Sequence, residues 1–139
     1  MKPSVKIALF GVFFLAVIGI GTALYLYNKK PADLQNVKPE FTMTAGELLH
    51  AFESDEVNAT VKYVNKVIDV SGVVATSLSG ENTYTIALIT GSSISFVICT
   101  FQNTSNMIQP LVGETITVRG TCSGYLMDVL MNNCVAIIK

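Results

Sequence analysis

The stretch TVRGTCSGYLMDVLMNNCVAIIK, Thr117 to Lys139, predicts two adjacent β-strands separated by a short break. Side chains alternate between the two faces of a strand, so the first strand places small and apolar residues on one face: Ile116, Val118, Gly120 and Cys122. Arg119 then lies on the outward face. A bulge at Asn132-Asn133 is needed to keep the apolar residues of the second strand on one inward face: Val129, Met131, Cys134 and Ala136. The stretch therefore predicts a hairpin with one side in a hydrophobic core.

Three further strands are predicted upstream of this hairpin. The β-branched run Val67–Val74 predicts a first, bent strand, and Thr83–Thr90 and Ile94–Phe101 follow it, each after a turn signal. The polar segment Asn103–Leu111 has room for one short helix before the fourth strand. Five strands with a helical gap between the third and the fourth is the order of an OB-type Greek-key barrel. The predicted fold class is therefore mainly β.

A helical lead-in is predicted ahead of the barrel. Thr44 to Glu47 reads TAGE, which fits a capping box at the start of a helix. The apolar residues that follow are spaced by three and four and share one helix face: Ala45, Leu48, Leu49 and Phe52. Residues 29–40 carry two prolines and mixed charge, which is typical of a tether. Lead-in and barrel are predicted to occupy residues 41–139.

The N-terminal region predicts a membrane anchor. Ile7 to Tyr27 contains no charged residue, and at about 1.5 Å rise per residue it is long enough to cross a hydrocarbon core of roughly 30 Å. We predict one transmembrane helix in residues 1–28, a signal anchor that contacts the membrane through residues 7–27. A cleaved signal peptide stays open as an alternative, although its apolar core usually has only about 7–15 residues.

The side of the membrane on which the barrel lies is predicted from the flanking charges. Lys2 and Lys6 precede the apolar run and Lys29 and Lys30 follow it, so the positive-inside bias is nearly balanced. The amino terminus adds one more positive charge on the N-terminal side. We therefore expect a single-pass protein whose C-terminal domain lies outside the cytoplasm, on the periplasmic side.

Three segments carry a resemblance to a known family. They are AGELLHAFESDEVNATVKYVNKVIDVSGVV (Ala45–Val74), VICTF (Val97–Phe101) and GETITVRGTCSGYLMDVLMNNCVAI (Gly113–Ile137). Together they resemble the bacterial tRNA-anticodon-binding-like OB-fold proteins, small proteins many of which are membrane-anchored or lipoproteins. The resemblance implies the OB fold. It implies no site residues, because the activity of most members is unassigned and a fold alone does not define one.

Catalysis and metal binding find no support in the sequence. The three cysteines have 22 and 11 residues between them, which fits no zinc pattern, and His50 is the only histidine. Asp128 has no obvious second carboxylate for acid–base work. We therefore predict no enzyme, no catalytic residue, no metal and no cofactor. Buried free thiols are the favoured state of the cysteines, and a disulfide between Cys99 and Cys134 stays open because the third and fifth strands of an OB barrel are neighbours.

Charge argues against nucleic acid as the partner. Residues 40–139 hold four basic and nine acidic residues, a net charge of −5, which repels a polyanion. The candidate binding surface consists of cations that would have to cluster and of tyrosines able to stack on a base: Lys62, Lys66, Arg119, Tyr63, Tyr84 and Tyr125. We expect a membrane-anchored binding or interaction module for a protein or a small polar ligand. A single-stranded nucleic-acid-binding OB domain is the alternative.

Overall fold

The structure, a computed structural model, describes residues 2–29, 33–102 and 109–137. The chain forms two compact units, Met1–Pro31 and Ala32–Lys139. The first unit holds one helix, α1 (Pro3–Tyr27), which begins at a proline and contains Lys6 as its one charged residue. Its mean hydropathy of 2.5 over the most apolar window suits a helix that crosses a membrane, and a signal sequence has the same features. The predicted apolar N-terminal helix is thus confirmed.

The second unit is a closed barrel preceded by two short helices. Its elements, in chain order, are β1 (Phe41–Thr44), α2 (Ala45–Ser54), α3 (Glu56–Tyr63), β2 (Val67–Ser79), β3 (Thr83–Ile89), β4 (Phe96–Gln102), β5 (Thr115–Leu126) and β6 (Asp128–Ile137). The sheet order is β1-β2-β3-β4-β6-β5, and a further pairing of β2 with β5 closes it. Strands β2 to β6 are the five strands of an OB barrel, which confirms the predicted fold class.

One strand was not predicted. The segment Phe41–Thr44 pairs in parallel with the start of β2, with Phe41 opposite Ile68 and Thr44 opposite Ser71. It had been assigned to the helical lead-in, because four residues are too few to show a strand pattern next to a strong helix start. The helix predicted within Asn103–Leu111 lies mostly outside the described residues, since these omit 103–108.

Helix α2 begins as predicted and packs against the barrel. The Thr44 hydroxyl accepts a hydrogen bond from the Glu47 amide at 3.2 Å, and the Glu47 carboxylate accepts one from the Thr44 amide at 2.8 Å. The hydrogen bonds that this carboxylate accepts from the amide and the hydroxyl of Thr44 favour its ionised form and lower the pKa of Glu47. The four predicted apolar residues of this helix are buried in the core. A β-carbon on Gly46 would lie 2.8 Å from the Thr90 carbonyl oxygen, so glycine allows the helix to approach the β3–β4 turn.

The predicted bulge in β6 is confirmed. Asn133 has a φ of 53°, and the register of β6 against β4 shifts between Met131 and Cys134. Met131 and Cys134 are consequently both buried, although they are three positions apart. The extra residue returns the following apolar positions to the core side, which an unbroken period of two would have turned outward.

A short segment ahead of β1, Leu34–Val37, lies on the outside of the barrel, and we call it the strap. Leu34 is buried, and Nη1 of Arg119 donates to the carbonyl oxygens of Val37 at 2.7 Å and Gln35 at 3.1 Å. The predicted boundaries at residues 28 and 40 stay predictions. The strap nevertheless places part of the interval 29–40, proposed as a tether, in contact with the barrel.

Two truncations test the role of the strap. A fragment of residues 29–139 should be soluble and folded, because it keeps the whole second unit. A fragment of residues 41–139 should be less stable to urea by about 2 kcal/mol, since it loses the buried Leu34 side chain and the acceptors of Arg119. Equal stability of the two fragments would show that the strap contributes nothing to the barrel, and an unfolded 29–139 fragment would show that α1 belongs to its core.

Candidate binding surface

Tyr84 does not belong to a binding surface. Its side chain is fully buried inside the barrel, and its hydroxyl pairs with Ser77 Oγ and donates to the Pro110 carbonyl oxygen at 3.3 Å. Within β3 it points inward together with Ile86 and Leu88. The prediction that Tyr84 stacks on a ligand is therefore wrong, because its ring is a core side chain with a satisfied hydroxyl.

Arg119 is also unavailable to a ligand. Its Nε and Nη2 donate to the two carboxylate oxygens of Asp69 at 2.7 and 2.9 Å, and its Nη1 holds the strap. The side chains of Arg119 and Asp69 are only 13% and 11% exposed. The hydrogen bonds to Asp69 raise the pKa of Arg119 further above its usual value. Arg119 is therefore not a free cation of the candidate binding surface, because its charge is neutralised and its donors are occupied by protein groups.

The remaining candidates do not form a basic groove. Lys66 pairs with the carboxylate of Glu40 at 3.1 Å. The ring of Tyr125 stacks on Phe52 with centroids 5.5 Å apart. Tyr63 is buried, and the ammonium of Lys62 lies 5.1 Å from the centre of its ring. Among the described cations of the candidate surface, Lys62 is thus the one without an ion pair, and a single charge attracts a polyanion weakly.

A different surface stands out by its lack of charge. The sequence contains no Asp, Glu, Lys, Arg or His from Asn82 to Gly113, a run that includes all of β3 and β4. Strand β6 contributes one charged residue, Asp128, whose carboxylate accepts a hydrogen bond from the Phe96 amide at 2.7 Å. We call the outward side of β3 and β4, with Leu130 of β6 beside it, the uncharged face, and Asp128 lies at its edge. Its side chains are Thr83, Thr85, Ala87, Ile89, Phe96, Ile98, Thr100, Gln102 and Leu130.

The strand register orders the uncharged face into a polar and an apolar half. Thr83 lies opposite Gln102 and Thr85 opposite Thr100, which gives hydroxyl and amide groups at one end. Towards the other end, Ala87 pairs with Ile98, Ile98 with Leu130, and Ile89 with Phe96. Such a face can make hydrogen bonds and bury apolar area, and it offers no cation to a phosphate.

The uncharged face can be recognised in the sequence from the order of the residues, although the overall composition does not reveal it. The long interval without ionisable residues is visible in the printed sequence, and the alternation of Thr83, Thr85 and Ala87 with Tyr84, Ile86 and Leu88 separates the outward from the inward side chains. The cations and tyrosines of the candidate binding surface are instead mostly engaged in contacts within the domain.

The cysteines are all buried and free. Burial raises the pKa of Cys122 to about 11. The thiols of Cys99 and Cys134 interact, and this hydrogen bond together with burial raises the pKa of Cys99 well above its usual value. The predicted inward direction of the three cysteines is confirmed, and a disulfide between Cys99 and Cys134 is not formed in this structure. Groups of three or more His, Cys, Asp or Glu suited to a metal do not occur among the described residues.

Thiol labelling provides a test of this burial. Because the thiolate is the nucleophile, maleimide at pH 8 should modify the folded chain negligibly and all three cysteines after denaturation. A folded-state mass lower by two hydrogens than that of the reduced chain would show instead that Cys99 and Cys134 are oxidised. Rapid modification of one thiol in the folded protein would contradict the burial and support a catalytic cysteine.

The sheet order, the closed five-stranded barrel and the helix that packs on it define a small OB-fold domain. The chain belongs to the tRNA_anti-like family, whose profile matches residues 1–135. This confirms the resemblance drawn from the sequence. No curated protein matches the sequence at a significant level.

The chain is similar to several solved structures, of which the first described here shows the same fold. A protein from Klebsiella pneumoniae subsp. pneumoniae, assigned by inference as a nucleic acid-binding lipoprotein, has a TM-score of 0.51 and 15% identity, over 69% of this chain and 91% of that chain. An inferred aspartyl-tRNA synthetase from Leishmania major Friedlin has a TM-score of 0.45 and 12% identity, over 87% of this chain and 26% of that chain. A chain from the structure of yeast Stn1 and Ten1 has a TM-score of 0.45 and 15% identity, over 76% of this chain and 66% of that chain. These last two scores are too low to bear on function.

Proposed function

We propose that this protein is a non-catalytic, membrane-anchored OB-fold module that binds a protein partner on its uncharged face. The observation that carries the proposal is the position of that face, on the outside of β3 and β4. These are the second and third strands of the OB barrel, and OB folds bind their ligands on the corresponding surface. In this chain the surface holds threonine, glutamine and apolar side chains.

The chemistry of the face favours protein over nucleic acid. The core of a protein–protein interface is depleted of charged residues, which matches this surface. Binding to single-stranded nucleic acid depends on cations along the backbone and on exposed aromatic rings, and the face supplies Phe96 alone as an aromatic ring. A small polar ligand would have the threonine hydroxyls and the Gln102 amide at one end of the face as its partners.

Anchoring through α1 is part of the proposal. The helix has the length and composition to cross a bilayer, and none of its residues is buried. We propose that it is retained, with the barrel on the outer side of the membrane. Two experiments test this arrangement. We expect the protein to resist extraction by alkaline carbonate and the barrel to be digested by protease added to spheroplasts. Extraction of the protein, or full protection of the barrel, would contradict the arrangement.

Nucleic acid binding is the second candidate, and the Klebsiella protein is the observation that favours it. Because that protein is inferred to bind nucleic acid, the comparison with it does not support our expectation that nucleic acid is not the partner. We still expect the full chain in nanodiscs to bind a fluorescent oligothymidylate no more tightly than about 10⁻⁴ M at physiological salt, the weak end of non-specific binding. Micromolar, salt-dependent binding that is lost in Lys62→Ala would establish the second candidate.

Site-specific crosslinking in cells tests the protein partner. Thr85 and Ile98, both on the uncharged face, are replaced by p-benzoylphenylalanine, and Thr60, exposed on α3, serves as the matched control. We expect both face positions to give an adduct with one and the same protein, identified by mass spectrometry, and the control to give none. Adducts with RNA, or equal adducts from all three positions, would contradict the proposal.

A further inference from the structure

Two turns at one end of the barrel expose apolar side chains next to each other. The β3–β4 turn presents Ile94 and the β5–β6 turn presents Leu126 and Met127, which are 69%, 80% and 62% exposed. The hydrogen bond from the Phe96 amide to Asp128 joins the strands that leave these turns. We call Ile94, Leu126 and Met127 the apolar tip.

The apolar tip has a single charged residue beside it in the sequence, Asp128. Residues 82–113 and 120–127 contain no ionisable acid or base apart from tyrosines and cysteines, and the Asp128 carboxylate is bonded to a main-chain amide. By contrast, Val57 and Val61 lie on a helix capped by Asp55 and begun by Glu56. The Asp128 carboxylate keeps its charge, so the tip can enter an apolar medium only to the depth at which this carboxylate stays hydrated.

The backbone of the β5–β6 turn also indicates a role for the apolar tip. Leu126 pairs with Asp128, so Met127 alone forms the turn, and its φ of 68° lies in the left-handed region that glycine adopts most readily. A large apolar residue at such a position costs backbone energy and gains no burial within the barrel. Strain of this kind at an exposed position indicates a role for the side chain outside the barrel.

The connection to α1 limits how far the barrel can move from a bilayer. Helix α1 ends at Tyr27 and the barrel holds Leu34, so seven residue steps separate them. At no more than about 3.6 Å per residue these steps span at most about 25 Å. A barrel on so short a connection stays at the membrane surface for as long as α1 spans the bilayer.

We propose that the apolar tip inserts into the boundary between headgroups and acyl chains of the bilayer that α1 spans. The proposal rests on the anchoring by α1 and is independent of what the uncharged face binds. The connection to α1 already keeps the barrel from diffusing away from the membrane. Shallow insertion of three apolar side chains further stabilises the barrel at the membrane by burying apolar area. The apolar half of the uncharged face, which adjoins the β3–β4 turn, would then lie close to the lipid. This position suits a partner that is itself in the membrane.

Spin labels on the full chain test this insertion. The protein is reconstituted in vesicles of phosphatidylethanolamine and phosphatidylglycerol, with nitroxide on Met127→Cys or Ile94→Cys. A label on Glu81→Cys in the β2–β3 turn is the matched control, and the unsubstituted chain gives the background of its buried thiols. We expect dissolved oxygen to relax the tip labels more than a water-soluble nickel chelate does, and the reverse at the control.

Each other outcome overturns the proposal. Tip labels that respond to the nickel chelate as the control does lie in water. Labels shielded from both reagents and broadened by dipolar coupling are covered by a second copy of the chain. In Leu126→Asp/Met127→Asp, the ratio of oxygen to nickel accessibility at position 94 should fall to the control value, while crosslinking from Thr85 continues; an unchanged ratio contradicts insertion. Extraction of the chain by carbonate would remove the anchoring itself, which separates that failure from failure of the tip.

Discussion

Replacing Arg119 by methionine should lower the free energy of unfolding by about 3 kcal/mol, the largest effect we expect from one substitution in the barrel. Methionine retains part of the apolar stem but leaves the Asp69 carboxylate without its two hydrogen bonds, at a site where both side chains are almost buried. Removing one partner of such a pair is costly because the other charge stays desolvated. The strap also loses its donors, so its amide hydrogens should exchange faster.

Lys66→Met is the matched control for this substitution. It breaks the ion pair with Glu40, whose two side chains are 42% and 49% exposed, and it should cost less than about 1 kcal/mol. The measurement is urea unfolding of the chain followed by the fluorescence of the barrel tyrosines. Replacing both partners, Arg119→Met with Asp69→Leu, should recover much of the loss, since no unpaired charge then remains. Equal costs for Arg119→Met and Lys66→Met would show that the buried pair contributes no more than a surface one.

Gly120→Val should be the second most destabilising change, by about 2 kcal/mol. Glycine at this inward position of β5 leaves room for neighbouring side chains. An added β-carbon would lie 2.6 Å from the Cys134 sulfur and 3.2 Å from the Asn132 carbonyl oxygen. Valine adds two further methyl groups in a closed barrel whose core cannot expand without separating paired strands.

A double-mutant cycle with Gly120→Ala shows whether the sulfur is the obstacle. Gly120→Ala alone should destabilise the barrel, and Cys134→Ala should reduce that cost because it removes the atom nearest to the new methyl group. Thr121→Val, at the adjacent outward position of the same strand, should change stability by less than about 0.5 kcal/mol. Strict additivity of Gly120→Ala and Cys134→Ala would contradict a contact between the two positions.

Local patterns in the sequence predicted most of the elements. The alternation in Ile116–Cys122 placed β5 with Cys122 inward, the Asn132-Asn133 pair marked the bulge, and TAGE marked the start of α2. These features depend on interactions within a few residues, so the chain carries them wherever it folds. The alternation around Tyr84 likewise predicts an inward ring, because Tyr84 shares one side of β3 with Ile86 and Leu88.

The sequence by itself determined an apolar N-terminal helix, a five-stranded OB barrel with inward cysteines, and an interval from Asn82 to Gly113 without charge. Only the tertiary structure decided the roles of Arg119 and of the uncharged interval. Arg119 is committed to Asp69 and to the strap because closure of β2 against β5 brings together residues that are 50 and more than 80 positions apart. The two strands of the uncharged interval form one face because β3 pairs with β4, and β6 extends that face because it pairs in parallel with β4. Register and closure are set by the packing of the whole core, which no local periodicity encodes.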